Sequence, residues 1–277
     1  MKCAWNGLLA ILPQAIRTDV DKLGREDLQE IRMRAGRPIQ LICRKRTHWL
    51  AAIVTAADLN YVINAASRYS PWTADSMAQG YLTAAGGHRI GIAGEAVIKD
   101  GRITGIKNLT GLCIRIARDF SGLSGSVPEL TDSLLILGPP GSGKTTLLRD
   151  LIRKIAERAC IAVVDERGEI FPPQSGFDLG RQMDVLSLCR KSAGIDMALR
   201  TLGPQWIATD EITSQADCDA LLQSGWCGVK LLATAHAVDV TDLLCRPVYR
   251  PLVQTQLFRH AIVLKPDKSW RYERMKL

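Results

Sequence analysis

Gly138-Pro139-Pro140-Gly141-Ser142-Gly143-Lys144-Thr145 matches G-x-x-x-x-G-K-[ST] in full and decides the reading of this chain. The glycines let successive backbone N–H groups turn inward toward a phosphate, and a helix starting at Lys144 adds its N-terminal dipole. Lys144 supplies a mobile charge for β- and γ-phosphates, and the Thr145 hydroxyl is a magnesium ligand. Gly138 to Thr146 together form the candidate nucleotide cradle. The context is the expected one: a short apolar strand precedes the loop (Asp132 to Leu137) and a helix follows it (Thr145 to about Arg158).

Working outward, the spacing predicts further apolar strands over Cys160 to Val164, Trp206 to Thr209, Val229 to Thr234 and His260 to Lys265. Short all-apolar strands alternating with helical segments imply a parallel sheet covered on both faces. Two of these strands end in acidic pairs, Asp165-Glu166 and Asp210-Glu211. Acids at the C-terminal ends of parallel strands stand where open α/β sheets bind ligands. An Asp followed by a Glu can divide the work, Asp to the metal shell and Glu to orient or deprotonate a water. Asp210 and Glu211 are the first candidates, with Asp165 and Glu166 as a second cluster; which pair supplies the base stays open. His236 ends another strand and is a candidate γ-phosphate sensor. Two acids with such a loop argue for hydrolysis of ATP with Mg²⁺ rather than transfer to a small acceptor.

The remainder of the chain differs in character. Ser121-Gly122-Leu123-Ser124-Gly125-Ser126-Val127-Pro128 marks a break, read as a flexible linker over 123–131. Before it, 1–122 has the look of a smaller α+β domain. There Asp27 to Met33 is helical or extended, Pro38 to Cys43 a strand, and Ala56 to Arg68 a helix capped near Asp58. A hairpin is expected around Gly86-Gly87. After the linker, 132–277 is the α/β domain.

Composition narrows the classes. The 277 residues carry 36 Lys+Arg against 28 Asp+Glu, a net +8, with 47% hydrophobic residues, which excludes disorder. The eight cysteines include no C-x-x-C pair, which fits reduced thiols in the cytosol. No apolar run approaches the ~18 residues of a membrane span, and Pro13-Gln14 interrupts the N-terminal apolar patch where a signal-peptide cleavage site would fall. Basic residues crowd Arg32 to Arg46 and the stretch after Arg246. They leave open a nucleic-acid-stimulated motor or binder, although 5% aromatics provide few stacking platforms. A nucleotide-gated scaffold with little turnover is a further alternative. Some arginines could act in trans on a neighbour's nucleotide.

The ordered motifs resemble the stage III sporulation protein AA family, P-loop ATPases related to those of type II and type IV secretion. The resemblance rests on Glu30 to Pro38, Gly80 to Gly91, Gly138 to Asp150, Val164 to Arg167, Arg181 with Asp184 to Leu186, Pro204 to Ile212 and Thr234 to His236. It implies a RecA-like domain with a mainly parallel sheet, Asp165-Glu166 in an acidic box, Asp210-Glu211 in the Walker B position and His236 in a histidine box. It further implies a homo-oligomer, a hexameric ring, whose N-terminal domains contribute arginines; Arg89, Arg115 and Arg200 are the candidates. By the same resemblance the protein lies in the mother-cell cytoplasm, peripheral to the forespore membrane, and docks to membrane proteins of a sporulation channel complex. Thr213 stands where the family has Gly, and Cys189-Arg190-Lys191-Ser192 departs from a Cys-Pro-Lys stretch.

Overall fold

A computed structural model describes residues 1–67 and 80–275, and the chain divides into two compact units. The first comprises 1–119 and the short segment 172–177; the second comprises 120–171 and the chain from 178 onward. The expected boundary was simpler, one crossing near residue 122, and the end of the predicted 56–68 helix, at Arg68, lies outside the described residues.

In the first unit, helices α1 (Trp5–Ile11), α2 (Gln14–Leu23) and α3 (Ala56–Ser67) accompany a sheet of β1 (Leu28–Arg34), β2 (Pro38–Cys43), β3 (Thr47–Ile53), β4 (Tyr81–Thr83), β5 (Arg89–Lys99) and β6 (Arg102–Arg115). The order is β3-β2-β1-β6-β5-β4, antiparallel throughout. The ambiguous stretch after Asp27 is therefore a strand. Its apolar residues lack a clean period because the register with β2 shifts between Leu28 and Glu30, which lets Leu28 and Ile31 both point into the core. Ile39, Leu41 and Cys43 of β2 alternate inward, and Val62, Leu59 and Ala66 of α3 pack on the same cluster. The helix cap is Thr55 rather than Asp58. Thr55 Oγ1 accepts from the Asp58 N–H at 3.2 Å while the Asp58 carboxylate accepts from the Thr55 N–H at 2.8 Å, a reciprocal arrangement that moves the cap three residues upstream. Asp100 and Gly101, both at positive φ (51° and 72°), close the β5–β6 hairpin in the two-residue form.

The second unit contains β7 (Leu134–Leu137), α4 (Lys144–Ala156), β8 (Ile161–Asp165), β9 (Met183–Ser187), α5 (Lys191–Thr201), β10 (Trp206–Glu211), α6 (Gln215–Trp226), β11 (Lys230–Ala235), α7 (Val240–Cys245), α8 (Arg250–Gln254), β12 (His260–Leu264) and β13 (Trp270–Arg274). The sheet order is β13-β12-β7-β11-β10-β8-β9. All pairs from β12 to β9 are parallel, and β13 alone is antiparallel. β7 and β8 are buried at every position, as strands covered on both faces must be. Ile195 and Ala198 of α5 and Leu221 of α6 pack on Leu135, Val164 and Ile207, one side of the sheet.

The stretch read as a flexible linker is instead fastened to α4. Leu123–Ser126 forms a 3₁₀ turn, and the Asp150 carboxylate accepts the Gly122 and Ser124 N–H groups at 3.0 and 2.7 Å. Lys154 Nζ donates to the carbonyls of Ser124 and Val127. Gly and Ser composition signals a chain free to bend, but short side chains also leave backbone groups open to partners from a helix.

His88 is buried in the first unit with both ring nitrogens committed: Nε2–H donates to Ala4 O (3.0 Å) and Nδ1 accepts from the Ala117 N–H (3.2 Å). Burial holds its pKa below the ordinary 6.5. As pH falls through 6.5 the unfolded chain takes up a proton that the folded ring refuses, so stability is lost on acidification. Denaturation between pH 7.5 and 5.5 should show this loss, approaching about 1.4 kcal/mol per pH unit below the unfolded value. His88→Asn should flatten the profile; an unchanged slope would remove His88 from the account.

Candidate active site

The loop 138–143 leaves the C-terminal end of β7 and enters α4. Gly138, Gly141 and Gly143 sit at φ 157°, 77° and 99°, conformations that side chains resist. At Gly138 a Cβ would also lie 2.7 Å from Ser142 Oγ and 2.9 Å from the Leu264 carbonyl. Pro139 and Pro140 stiffen the turn between them. Ser142 Oγ is buried with no hydrogen-bond partner, an orphan polar atom in a loop of the shape that receives an anion. Thr145 and Thr146 occupy the first turn of α4, half-buried.

Lys144 is only 7% exposed. Its ammonium donates to Gly138 O (2.7 Å), Pro139 O (3.0 Å) and His236 Nδ1 (2.9 Å). An ammonium has no lone pair, so Nδ1 must accept and the ring hydrogen sits on Nε2. Nε2 in turn meets Glu211 Oε2 at 2.9 Å. Burial lowers the Lys144 pKa to about 8, opposed by the Glu211 charge. A continuous polar chain, loop carbonyl to Lys144 to His236 to Glu211, thus joins the ends of three neighbouring parallel strands, β7, β11 and β10.

The end of β10 is bent to serve this arrangement. Thr209 pairs with Ala233 and Glu211 with Thr234, so Asp210 is an extra residue bulged out of the ladder. Bulges beside active sites re-aim side chains. Asp210, 7% exposed, lies 3.3 Å from Lys191 Nζ; burial raises its pKa and Lys191 counters that rise. Tyr249 O–H donates to Ile212 O at 2.8 Å, pinning the turn that follows.

The two acidic pairs, equivalent in sequence, are not equivalent here. Asp165 is fully buried and its carboxylate accepts the N–H groups of Glu169 (2.8 Å), Ile170 (3.0 Å) and Phe171 (2.8 Å). Arg149 of α4 donates to the carbonyls of Ile170 and Glu169. With both oxygens occupied, Asp165 is placed to anchor the 169–171 loop rather than to offer a metal ligand, contrary to the expectation. Burial pushes its carboxyl up to about 6, against the pull of the Phe171 and Ile170 N–H groups. Glu166 is half-exposed, 3.9 Å from Lys191 Nζ.

The proposed arginines separate too. Arg89 stacks 4.3 Å above the Tyr81 ring and is the direct cross-strand partner of Arg115, which lies 3.5 Å from Glu30; both belong to the first unit. Arg200 pairs with Asp196 at 2.9 Å one turn earlier on the exposed side of α5. Lys191 is the residue that sequence reasoning passed over, noted only as part of a departure from a family motif. Its signal was slight, a lysine at the first position of a helix, where a cation opposes the helix dipole and needs acidic neighbours. Thr213 has a structural use, its N–H and hydroxyl donating to Asp217.

Strand, phosphate-type loop, helix and acid-bearing parallel strands of the same sheet define the second unit as a P-loop fold. The model for sporulation stage III, protein AA matches residues 6–271, and the chain belongs to that family. It is 33% identical over 284 residues to stage III sporulation protein AA of Bacillus subtilis (strain 168), covering 95% of this chain and 92% of that one. Among solved structures it is similar to the Yersinia pseudotuberculosis ATPase DotB (TM-score 0.63, 15% identity, 95% of this chain and 79% of that chain). It is likewise similar to the pilus retraction motor PilT with bound ADP (TM-score 0.63, 14% identity, 90% of this chain and 76% of that one). At these identities the likeness shows the fold. Among the described residues no helix is long and apolar enough to cross a membrane.

If Asp165 is an anchor, Asp165→Asn should set an amide donor against backbone donors and destabilise the nucleotide-free protein by about 1–3 kcal/mol in urea unfolding. Unchanged stability would return Asp165 to the list of ligand candidates.

Proposed function

We propose that the chain binds and hydrolyses ATP with Mg²⁺ through a RecA-like second unit, and that it works as a secretion-type ring motor during endospore formation. The observation that carries this reading is the chain from Lys144 through His236 to Glu211, which ties the phosphate loop after β7 to an acid at the end of β10, across the intervening β11. The loop N–H groups and Lys144 would hold the β- and γ-phosphates, with Lys144 turning from its loop carbonyls toward the anion. Thr145 and Asp210, a hydroxyl and a carboxylate, fit a hard divalent cation, whereas Asp165 does not. Bound there, magnesium would neutralise phosphate charge. Glu211, bonded to His236, would orient a water and accept its proton. His236 would report a γ-phosphate, because a lysine drawn to phosphate releases Nδ1.

Family membership supports the sporulation role, and likeness in fold to DotB and PilT supports the motor reading. By the same reading the protein assembles as a homo-oligomer, a hexamer, and docks peripherally on membrane proteins of the forespore channel complex. Arg89 and Arg115 are direct cross-strand partners on β5 and β6 of the first unit, and we assign them to the neighbouring subunit's nucleotide. Arg200, paired on its own helix, is left out of that assignment.

Lys144→Ala should abolish the thermal stabilisation that ATP confers, about 2.7 kcal/mol at a hundredfold excess over Kd, and a normal ATP-dependent shift would refute the site. Glu211→Gln should retain ATP binding and lose turnover by at least about 100-fold. The same loss in Glu166→Gln alone would move the base to the other strand. Turnover per subunit should climb with protein concentration; a flat, detectable rate would mean that each site is complete within one chain.

A further inference from the structure

Lys191 begins α5 and is 2% exposed, yet its ammonium faces oxygens from three other places. Nζ lies 3.3 Å from Asp210 Oδ1 at the end of β10, 3.8 Å from Asp217 Oδ2 in the first turn of α6, and 3.9 Å from Glu166 Oε2 just beyond β8. It also donates to the Glu211 main-chain carbonyl. Nothing about a helix N-terminus favours a buried cation; the dipole opposes it and desolvation is costly unless the charge is matched. The acids are what hold it there, and it holds them.

The geometry at the bulge explains why one cation suffices for two consecutive residues. Asp210 turns its side chain to Lys191, while Glu211 turns its carboxylate to His236 and leaves its carbonyl to Lys191. Lys191 therefore fixes the side chain of one residue and the main chain of the next. Asp217 completes the seat: its carboxylate also accepts the Ser214 and Thr213 N–H groups that cap α6, so it is rigid independently of Lys191.

We propose that Lys191 is a positioning residue of the hydrolytic site, a resident cation that holds Asp210 and the Glu211 backbone in place and whose charge sets how tightly a divalent ion is retained beside Asp210. The inference rests on the ATPase reading above. A unit positive charge a few ångströms from a carboxylate competes with any incoming cation for that carboxylate, and it also keeps the carboxylate from swinging away when the site is empty.

The test uses the full chain and the unbranched, uncharged variant Lys191→Met, with binding of a fluorescent ATP analogue and ATP turnover followed across a magnesium titration. Affinity for the analogue in EDTA should stay within about threefold of wild type, because the phosphate loop is untouched. The magnesium midpoint for tightened binding should fall about tenfold, as a repelling charge is gone. Turnover should drop by about 100-fold for want of alignment. Lys191→Arg, which keeps the charge, should keep the midpoint. A fall in turnover with an unmoved or higher midpoint would reduce Lys191 to a packing role and overturn the proposal, as would a variant indistinguishable from wild type. Should Lys191→Met fail to fold, Lys191→Met combined with Asp217→Asn removes one stranded carboxylate and is read by the same midpoint. Wild-type protein that neither binds nor hydrolyses ATP would instead overturn the underlying ATPase reading.

Discussion

Carboxylates crowd the C-terminal edge of the second unit's sheet, and the local fold depends on their being answered by a cation, by an imidazole N–H or by backbone N–H groups. Parallel packing makes this unavoidable. When strands all run one way, residues at their ends collect along one edge; β10 ends in Asp210 and Glu211, and β8 ends in Asp165 with Glu166 just beyond it. Left unmatched, buried carboxylates would repel one another and favour an open or protonated edge. The structure answers them in three ways. Asp165 takes three main-chain N–H groups, Asp210 takes the Lys191 ammonium, and Glu211 takes the His236 ring, itself fixed by Lys144. Two lysines and one histidine thereby set which acid faces the loop and which is withdrawn from it.

This division also explains how the two acidic pairs come to differ. β8 is followed by a turn whose N–H groups fold back over Asp165, and Arg149 grips the carbonyls of the same turn. The acid becomes part of the scaffold. β10 instead bulges at Asp210, and Tyr249 pins the residues beyond it. There Asp210 is buried against Lys191, while Glu211 stays half-exposed and is joined to the loop through His236 and Lys144. Local backbone conformation, rather than residue type, separates a structural carboxylate from a candidate working one.

Much of this architecture was legible in the chain. The loop motif, five buried strands and the α4 helix all carry strong local signals, because a strand covered on both faces must be apolar at every position. β9 and β13 escaped notice for the converse reason: both lie at sheet edges, half-exposed, and β13 is rich in charge, so neither shows an unbroken apolar run. The Gly-Ser stretch misled because its partners, Asp150 and Lys154, lie a full helix away in sequence. Asp165 and Lys191 failed for the same cause. Whether a carboxylate meets three N–H groups, or a lysine meets three acids, is settled by tertiary packing that no local pattern records.

The short run 172–177 has a consequence of a different kind. It follows directly on the turn that Asp165 and Arg149 secure, yet it is counted with the first unit, where Pro172 fills the space beside Gly87 so closely that a Cβ there would lie 2.5 Å from it. The chain therefore passes from one unit to the other three times rather than once. Neither half is a free-standing cassette. A truncation at the obvious glycine-rich boundary would strip the first unit of its own six residues, and recombining halves from different relatives would have to carry those residues, and glycine opposite them, as a matched set.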